Sequence, residues 1–411
     1  MTALTYHTVP GCRFCGQSLR TVLNLGETPI ANALCTTQEE ALAAPRFPLE
    51  LMVCRARDCG LYQLSVAVDP EVLFPPGYTY ATPDNPELTA HYRTTLDWLR
   101  PMLTHGSVCV EIGSNNGRFL ANVQMQNCIG VEPSSVKAVP GTNTIRAFFT
   151  EELVEKGVLA EQMRALPRLP PSTGADLIVA RHCLAHIDDV HDVMRGVEKL
   201  LGHRGVLYIE NAYALDTLMG GQFDQIYHEH LSYFTLTALE WLLDQHGMKV
   251  LDVRLSRVHG GSIMVAAVRE GHPASASGAV GMLGLAERTD PLGLERRFLD
   301  QACLRIGVTR SAGLAPFLRT AVLGRTPTLD AWGAAAKAVT RFAASMLTHE
   351  HIRQCYDDSP LKQGKFLPGS GIPIVPCPEK LDADAVILTA WNYERTFRAR
   401  YPSYTGTVII P

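Results

Sequence analysis

The stretch Val108-Cys109-Val110-Glu111-Ile112-Gly113-Ser114-Asn115-Asn116-Gly117 decides the fold of the middle of the chain. Its first half reads as a short apolar strand with an acid near its end. Its second half is a glycine loop that opens into a helix. This arrangement is typical of nucleotide-binding α/β folds, in which ligands lie at the carboxyl ends of the strands. The glycines follow the spacing G-x-x-x-G, which differs from the dinucleotide-binding pattern G-x-G-x-x-G.

A second predicted strand, Cys128-Ile129-Gly130-Val131, ends in Glu132, 21 residues after Glu111. An acid in this place can accept hydrogen bonds from two adjacent ribose hydroxyls, because a carboxylate offers two oxygens side by side. Further apolar segments predict strands at residues 175–180, 205–210, 248–253 and 263–268. Short strands separated by helical lengths indicate a mostly parallel, doubly wound sheet.

This order of motifs resembles the class I S-adenosylmethionine (SAM) methyltransferases. The pattern is E-x-G-x-x-x-G, then a strand that ends in an acid, then Asp176-Leu177-Ile178-Val179. A glycine loop alone is weak support, and three motifs in the right order are much stronger. The resemblance implies SAM as the cofactor, with another nucleotide as the alternative. The cofactor-binding residues that it implies are Glu111, Gly113, Asn115, Gly117 and Glu132.

Residues 225–234 carry the densest proton-transfer chemistry of the chain, in the sequence Gln225-Ile226-Tyr227-His228-Glu229-His230-Leu231-Ser232-Tyr233-Phe234. Histidine can take up a proton near neutral pH without a large shift of its pKa. The segment begins 15 residues after Glu210, which places it over the methyl-donor end of the sheet. His186 follows the preceding strand, and we expect it on the same rim. The alternative is a solvated turn that happens to be rich in histidine.

Four of the eleven cysteines form a pattern of their own, C-x2-C, a 38-residue gap and C-x4-C. These are Cys12, Cys15, Cys54 and Cys59. A glycine follows each pair and allows a tight turn, so the pattern predicts a closed tetrahedral thiolate site for structural zinc. The alternative is unrelated thiols, and the x4 gap is the main weakness of the zinc prediction. The other cysteines read as small buried hydrophobes of a protein in a reducing compartment.

Length and composition restrict the kind of protein. The 411 residues, 46% hydrophobic and 19% charged, suggest two to three globular domains. We predict boundaries at residues 1–80, 81–272 and 273–411. The net charge of −4 and the absence of a basic block argue against nucleic acid or membrane partners. We expect a cytoplasmic monomer that acts on a small molecule, since neither a signal-like N-terminus nor a coiled-coil seam is evident.

The C-terminal third predicts a second α/β unit. Residues 274–286 are rich in small side chains and read as a linker, and residues 294–306 carry a helical period. Residues 329–337 repeat the plan of strand, glycine turn and helix, and strands follow at 385–388 and 408–410. The basic loop Lys362-Gln363-Gly364-Lys365 suits a diphosphate, with a solvated surface turn as the alternative.

Two further segments are candidates for ligand contact. The aromatic connector that holds Tyr78 and Tyr80 could line a cleft between modules, although such residues often only pack a linker. The turn His259-Gly260-Gly261-Ser262 exposes backbone amides, so it is either an anion-binding nest or only a hairpin turn.

The whole chain resembles the three-domain, zinc-containing sugar C-methyltransferases of deoxysugar biosynthesis. The motifs that carry this resemblance are the four-cysteine module, residues 111–117, 227–234 and 259–262, Gly333-Ala334-Ala335-Ala336-Lys337, and residues 357–365. Two positions depart from the family pattern. The second cysteine pair has an x4 gap where x2 is usual, and Ala338 stands where glycine usually follows the lysine.

The resemblance implies a fold and an activity. The fold is a class I SAM-methyltransferase Rossmann-like domain between a small zinc-binding module and a second Rossmann-like α/β domain. The activity is methylation of a ring carbon, usually C3 and occasionally C5, of a nucleotide-linked 4-keto-6-deoxy sugar, most often linked to dTDP. His230 is then the general base, surrounded by Tyr227, Glu229 and His186, and Glu229 orients an imidazole. The implied substrate-binding residues are Tyr78, Tyr80, His259, Lys337, Lys362 and Lys365.

Three alternatives stay open from the residues alone. An O- or N-methyltransferase shares the SAM motifs but needs no base for a carbon acid. A metal-dependent enzyme could use His228 and His230 as a ligand pair, although a third ligand is not evident nearby. A SAM-binding protein without activity is disfavoured, because Tyr227 and His230 are both present.

Overall fold

The computed structural model describes residues 5–74, 81–82, 84–103, 107–122, 127–166, 174–323 and 327–410, with the backbone alone for 316–323. Tyr78 and Tyr80 lie outside the described residues. Among those described, no helix combines the length and apolar character that a membrane crossing requires.

The N-terminal module is built on antiparallel strands. Its strands are β1 (Tyr6–Thr8), β2 (Leu19–Pro29), β3 (Arg46–Cys54), β4 (Tyr62–Leu64) and β5 (Val66–Val68), and its helices are α1 (Gln38–Leu42) and α2 (Pro70–Leu73). Apolar residues alternate along β3, with Phe47, Leu49 and Leu51 buried, so one face of the strand forms the module core. The helix α1 begins at a capping box between Thr37 and Glu40.

The central domain is organised by one large sheet. The strands that follow are β6 (Cys109–Ile112), β7 (Cys128–Val131), β8 (Thr144–Ile145), β9 (Ala175–Arg181), β10 (Leu201–Ala212), β11 (Ser232–Tyr233), β12 (Met248–Ser256) and β13 (Ser262–Arg269). The sheet has the order β12-β13-β10-β9-β6-β7-β8, and β13 runs antiparallel to both of its neighbours. The predicted doubly wound sheet is confirmed, and the strand β10 begins earlier than residue 205.

Helices cover both faces of this sheet, which explains why its inner strands are apolar throughout. They are α3 (Pro86–Leu99), α4 (Arg118–Asn122), α5 (Glu151–Glu155), α6 (Val158–Arg164), α7 (Val190–Leu200), α8 (Ala214–Met219) and α9 (Leu236–Asp244). In α7, buried Val190, Val193 and Val197 recur at helical spacing and face the core. Short 3-10 turns lie at Arg100–Met102, Leu184–His186, Phe223–Gln225, Val258–Gly260 and Trp391–Tyr393.

The strand β11 belongs to the N-terminal module, although it lies far along the chain. It pairs antiparallel with β4, where Ser232 faces Gln63 and Tyr233 faces Tyr62. The module sheet therefore has the order β11-β4-β3-β2. This pairing attaches the histidine-rich segment of the central domain directly to the module.

The linker prediction for residues 274–286 is wrong, because the chain forms α10 (Gly278–Thr289) there and continues into α11 (Pro291–Leu323). Alanine favours a helix more than any other residue, so a stretch of small side chains suits a packed helix as well as a linker. Buried Glu287 of α10 accepts hydrogen bonds from the amides of Leu236 and Thr237, which begin α9. Tertiary contacts of this kind were not visible in the local composition.

The C-terminal domain is a second parallel sheet. Its elements are β14 (Leu329–Trp332), α12 (Ala336–Ser345), β15 (Cys355–Tyr356), β16 (Ile374–Val375), β17 (Ala385–Leu388), α13 (Glu394–Arg400) and β18 (Thr407–Ile409). The strand order is β16-β15-β14-β17-β18, so the direction of the chain connections reverses between β14 and β17. Parallel sheets bind ligands at such a reversal, beyond the carboxyl ends of the strands. The second α/β unit is thus confirmed.

Candidate active site

The loop after β6 is shaped for close approach of a ligand to the backbone. Gly113 and Gly117 have φ of +65° and +72°, and Asn115 between them has φ of +50°. A Cβ atom on Gly113 would come within 2.6 Å of the Cβ of Cys183, so a side chain does not fit there. The loop thus fits the predicted SAM site, since its glycines let the backbone lie against the residues that follow β9.

Glu132 is fixed at the end of β7 by two backbone amides. One carboxylate oxygen accepts from the amide of Asn115 at 2.7 Å, and the other accepts from the amide of Ser134 at 2.9 Å. Each oxygen keeps a second lone pair, so the rigid carboxylate can also accept two ribose hydroxyls. The Asn115 side chain is used elsewhere, because its oxygen accepts from the amide of Thr82 at 2.9 Å. The part played by Thr82 was not foreseen.

Glu111 lies deeper than the loop, on β6. It is 2% exposed, and its nearest cation is the Arg181 guanidinium, at 3.8 Å. Burial raises the pKa of Glu111 to about 8. Arg181 is shared with Glu210 of β10, to which it donates a hydrogen bond of 2.9 Å. Glu111 is therefore part of a buried charge network under the cofactor loop.

Most of the segment 225–234 is buried and Tyr227 and His230 are half-buried, so the alternative of a solvated turn is wrong. His228 is 1% exposed, Glu229 is 0% and Tyr233 is 3%. The segment connects the 3-10 turn at Phe223–Gln225 to β11 and is enclosed by the central domain, the N-terminal module and α12. Its titratable side chains point to different partners, which separates their roles.

Tyr227 and His230 form a hydrogen-bonded pair. The phenol oxygen lies 2.8 Å from Nε2 of His230, and the ring centroids are 4.1 Å apart. Burial, followed by the nearby His186 imidazole, holds the pKa of His230 well below the ordinary 6.5. A neutral imidazole with one lone pair toward the phenol is a competent proton acceptor.

His186 is the second imidazole of the site, as predicted. Its ring centroid lies 5.0 Å from that of His230. Its Nδ1 is 2.5 Å from the main-chain carbonyl of Glu229, which requires a proton on Nδ1 and leaves Nε2 as an acceptor. Burial lowers the pKa of His186 to about 4, so this ring is also neutral at physiological pH.

The prediction that the Glu229 carboxylate orients an imidazole is wrong. One of its oxygens accepts from both the amide and the side chain of Asn32, each at 3.1 Å. The main-chain carbonyl of Glu229 orients His186 instead. Burial raises the pKa of Glu229 to about 7. Asn32 belongs to the N-terminal module, 197 residues away, and no local signal in the sequence marked it.

His228 does not form a metal pair with His230. Its Nε2 lies 3.2 Å from the carbonyl oxygens of Phe47 and Pro48, both in β3. A nitrogen between two acceptors carries a proton and cannot bind a metal ion. Within the described part of the chain, the four cysteines are the group of His, Cys, Asp and Glu side chains that could hold a metal.

The four cysteines fit zinc. Cys12 and Cys59 have sulfurs 3.6 Å apart, and those of Cys15 and Cys54 are 3.3 Å apart. All four sulfurs lie within 4.8 Å of one another. Tetrahedral zinc with bonds of about 2.3 Å needs sulfurs roughly 3.8 Å apart, so the cluster is close to the required size.

The x4 gap is absorbed by a turn in the second cysteine pair. The amide of Gly60 donates to the carbonyl of Ala56 at 3.0 Å, and the amide of Ala56 lies 3.4 Å from the sulfur of Cys54. The turn shortens the path between Cys54 and Cys59, so the longer gap still delivers both sulfurs to one side. Zinc therefore remains the metal that suits these residues.

Lys337 lies where the second sheet reverses. Its Nζ donates to the side chain of Asn392 at 2.6 Å and lies 4.2 Å from the centre of the Trp391 ring. Burial lowers the pKa of Lys337 to about 8. Trp391 and Asn392 come just after β17. Glu132 was singled out because it lies at the carboxyl end of a predicted strand, and the same rule could have found Trp391 and Asn392. The methyl of Ala338, in place of the usual glycine, is fully buried in α12.

The lysines of the basic loop have different surroundings. The ammonium of Lys362 donates to the carbonyl of Ala334 at 2.8 Å and lies 3.4 Å from the Asp357 carboxylate. It thus supports the turn that precedes α12. Lys365 is half-buried. The predicted loop therefore contacts the glycine turn before α12, and the ammonium of Lys362 is taken up by contacts within the protein.

The turn at residues 258–261 is a hairpin between β12 and β13. His259 has φ of +56°, and its carbonyl accepts from the side chain of Gln225 at 2.8 Å. Its ring lies 4.6 Å from that of His182. Gly261 has φ of +122°, and a Cβ there would come within 2.2 Å of the Asp216 carboxylate. The hairpin reading is confirmed, and it places His259 beside the segment 225–234.

Asp224 and Arg341 join the central domain to α12. Both side chains are 0% exposed, and the guanidinium donates to the carboxylate at 2.7 Å. The Trp391 indole donates to the same carboxylate at 3.0 Å. The side chain of Thr340 donates to the carbonyl of Ile226 at 3.0 Å. These contacts hold the candidate base against the ligand edge of the second sheet.

Comparisons with known proteins agree with the three units of the fold, namely the N-terminal module, the central domain and the C-terminal domain. Three family models match in succession: "Putative zinc binding domain" over residues 12–74, "Methyltransferase domain" over 87–253 and "C-methyltransferase C-terminal domain" over 257–411. The C-methyltransferase NovU of Streptomyces niveus is 35% identical over 394 residues, which cover 93% of this chain and 90% of that protein.

Solved structures resemble part of the chain. An N1-methyltransferase of Burkholderia thailandensis that acts on 1,6-didemethyltoxoflavin has 16% identity over 44% of this chain and 79% of its own, with a TM-score of 0.32. A SAM-dependent methyltransferase of Archaeoglobus fulgidus has 12% identity over 43% of this chain and 94% of its own, with a TM-score of 0.33. These scores are low, so the fold assignment rests on the sheet order and the family models.

Proposed function

Since the chain belongs to the C-methyltransferase family, we propose that it methylates a ring carbon, C3, of a nucleotide-linked 4-keto-6-deoxy sugar. The observation that carries this proposal is the half-buried pair of Tyr227 and His230, in which a phenol and a neutral imidazole meet at 2.8 Å. Transfer to carbon requires a base that removes a proton from that carbon. Transfer to oxygen or nitrogen does not.

The pair suits the chemistry of a carbon acid. A hydrogen next to a ketone becomes removable when the negative charge that develops on the ketone oxygen is stabilised. In this proposal Nε2 of His230 takes the proton from C3, and the phenol of Tyr227 donates to the ketone oxygen. The phenol and Nε2 contact each other in the free protein, so the phenol hydrogen turns from Nε2 to the ketone and frees the lone pair.

The neighbouring groups keep the base neutral and in place. Burial and the His186 imidazole both disfavour a positive charge on His230 before the proton arrives. The Glu229 carbonyl fixes His186, and the Glu229 carboxylate ties the segment to Asn32. A base with a lowered pKa is weak, which makes the phenol contact to the ketone oxygen necessary for the reaction.

The cofactor loop sets the direction of transfer. When bound, SAM supplies an electrophilic methyl group on a sulfonium. Glu132 and the backbone at Gly113 hold the cofactor at the ends of β6 and β7, below the rim that carries His230. Fixing donor and acceptor in reactive geometry can remove roughly 7 kcal/mol or more of the barrier.

We place the nucleotide part of the substrate at the reversal point of the second sheet. Lys337 and the half-buried Lys365 supply positive charge for a diphosphate, and the Trp391 ring offers an aromatic surface beside Lys337. The contact of Trp391 with Asp224 keeps this end next to the candidate base. His259 lies on the hairpin that borders both the proposed nucleotide site and the candidate base. The proposal includes a dTDP-linked sugar and a cytoplasmic monomer.

The alternative within the same fold is an O- or N-methyltransferase that acts on a sugar or another small molecule. It would use the same SAM site and could use an imidazole to deprotonate a hydroxyl or amine, but no charge develops on a ketone oxygen for the phenol of Tyr227 to stabilise. The product distinguishes the two. Incubation with dTDP-4-keto-6-deoxyglucose and SAM carrying a 13C-labelled methyl, followed by carbon NMR, should place the label on C3. A label on oxygen or nitrogen would contradict the proposal.

A further inference from the structure

Arg13 lies inside the first cysteine pair, between Cys12 and Cys15, and its side chain is 2% exposed. Its guanidinium spreads over four acceptors. Nε donates to the Asp188 carboxylate at 2.8 Å, and Nη1 donates to the carbonyl of Leu64 at 2.9 Å. Longer contacts reach the carbonyl of Leu231 at 3.4 Å and that of Val66 at 3.5 Å. A planar guanidinium with five donors suits this arrangement, and lysine could not reproduce it.

Two of these acceptors belong to the segments that carry the imidazoles of the site. Asp188 comes two residues after His186, and Leu231 comes one residue after His230. The segments are also joined directly, because the amide of Leu231 donates to the carbonyl of Ala185 at 2.7 Å. Arg13 therefore contacts both segments, the one that follows His186 and the one that follows His230, at the point where they cross.

The neighbouring Phe14 docks the same cysteine turn on the central domain. Its ring stacks at 6.0 Å on Phe234, the last residue of the histidine-rich segment, and at 6.5 Å on Trp241 of α9. Its carbonyl lies 2.8 Å from Nε2 of His191 on α7. The turn thus has its orientation fixed on two sides, with cysteine ligands immediately before and after Arg13 and Phe14.

We propose that Arg13 is a positioning residue, which holds the segments of His186 and His230 at their mutual distance, and that the zinc site contributes to catalysis through it. The identification of His230 as the base rests on the function proposed above. Cys12 and Cys15 would hold the turn through their zinc ligation, and within the turn the Arg13 guanidinium holds Leu231 and Asp188. The metal site then acts on the proton transfer without contacting the substrate.

The competing explanation is that Arg13 only attaches the module to the central domain. The test uses the full-length, zinc-loaded protein with Arg13→Gln and Arg13→Lys. His7→Ala is the matched control, because exposed His7 contacts the other oxygen of Asp188, at 3.0 Å, and is not among the partners of Leu231 that the structure describes. Each variant is assayed for zinc per chain, SAM affinity, kcat and KM with dTDP-4-keto-6-deoxyglucose, and imidazole nitrogen NMR signals without substrate.

For Arg13→Gln we expect one zinc per chain and a SAM Kd within about threefold of wild type. We also expect a fall in kcat of about a hundredfold with little change in KM, the size of effect that a 1 Å displacement of reacting groups produces. The signals of His186 and His230 should move in Arg13→Gln and stay in His7→Ala. The kcat of Arg13→Lys should fall less than that of Arg13→Gln, since lysine keeps a cation near Asp188.

Unchanged kcat and unchanged imidazole signals in Arg13→Gln would overturn the proposal, even with a lower melting temperature. Loss of zinc in this variant would also overturn it, since Arg13 would then belong to the metal site itself. If Arg13→Gln does not fold, Asp188→Asn replaces it, with the same signals expected to move. A wild-type enzyme that does not turn over this sugar would contradict the proposed function, whereas the imidazole signals would still decide the role of Arg13.

Discussion

At the scale of single residues, the protonation state of His230 decides what the site can do. Burial and the adjacent His186 favour the neutral ring, and the phenol of Tyr227 faces its free nitrogen. A site arranged in this way can accept a proton from a carbon acid and can stabilise the charge that the proton leaves behind. The same residues would have little purpose in a protein that binds SAM without using it.

The first prediction concerns pH. The reaction needs neutral His230, whose pKa is lowered below 6.5, so the base is available above its own pKa and is lost only as pH falls below it. The acid limb of kcat/KM that belongs to His230 should therefore lie below pH 6.5. Glu229, with its pKa raised to about 7, can add a second limb, and Glu229→Gln removes that one. A limb at or above pH 6.5 that persists in Glu229→Gln would contradict this assignment.

The second prediction concerns the cofactor. Glu132→Ala removes the carboxylate that is held at the end of β7, so calorimetry should show SAM binding weakened about ten- to a hundredfold, as for loss of charged hydrogen bonds worth about 1.5–3 kcal/mol. Glu270→Ala, on an exposed glutamate, is the control. Equal affinity in Glu132→Ala and wild type would show that this acid does not bind the ribose.

The sequence located the site residues better than it assigned their roles. The pairing of Tyr227 with His230 is local, since the residues are three apart, and the family resemblance had implied that they lie together. Glu229 and His228 were assigned wrongly or left open because their partners, Asn32 and β3, lie in another module. Single-sequence reasoning has no access to contacts of that separation.

At the scale of elements, the segment 225–234 is held from two sides. The strand β11 extends the module sheet on one side, and α12 contacts Asp224 and Ile226 at the start of the segment on the other. A segment held at both ends by other domains keeps its side chains in fixed positions, as proton transfer at one carbon requires. The position of the segment 225–234 therefore depends on the two domains that hold it.

The third prediction tests the contact between Arg341 of α12 and Asp224 of the turn that precedes the segment 225–234. Arg341→Met leaves the buried Asp224 carboxylate without its guanidinium partner, which should lower the free energy of unfolding by about 3–5 kcal/mol. Urea unfolding followed by circular dichroism measures this change. Arg398→Met, on an exposed helix position, should stay within about 0.5 kcal/mol of wild type. Similar losses in both variants would mean that the Asp224 contact stabilises little.

The secondary structure could be predicted where the local sequence of an element determines it. The longer strands of both sheets follow from apolar runs between helices and appear near the predicted residues, whereas the two-residue strands β8, β15 and β16 have no such run. The strand β11 and the helix α10 could not be predicted, because β11 exists only through its pairing with β4 and α10 only through its packing on the central domain. In each case a tertiary contact outweighs the local preference of the residues.

At the scale of the whole molecule, three units meet around one segment. The module supplies Asn32, the β4 edge and the cysteine turn, the central domain supplies the cofactor loop, and the C-terminal domain supplies Lys337 and Trp391. This explains why a zinc module without evident chemistry of its own accompanies a methyltransferase domain. The boundaries predicted at residues 80 and 272 remain predictions.

The fourth prediction concerns the metal. Elemental analysis should find one zinc per chain, because the four thiols form one closed site. Cys12→Ser should lose both the metal and much of the soluble yield, since a structural zinc site contributes directly to folding. Cys303→Ser, on an exposed cysteine outside the cluster, is the control and should keep both. Full zinc content in Cys12→Ser would contradict the assignment of the ligands.

The central claim is that His230 removes a proton from the carbon that receives the methyl group. The most direct measurement is the uptake of deuterium from heavy water into dTDP-4-keto-6-deoxyglucose, followed by NMR with the wild-type protein and with His230→Asn. The account predicts exchange at C3 with the wild-type protein, and exchange at least about a hundredfold slower with the variant, as for loss of a general base. Equal exchange with both proteins, or exchange at a carbon that is not methylated, would contradict it.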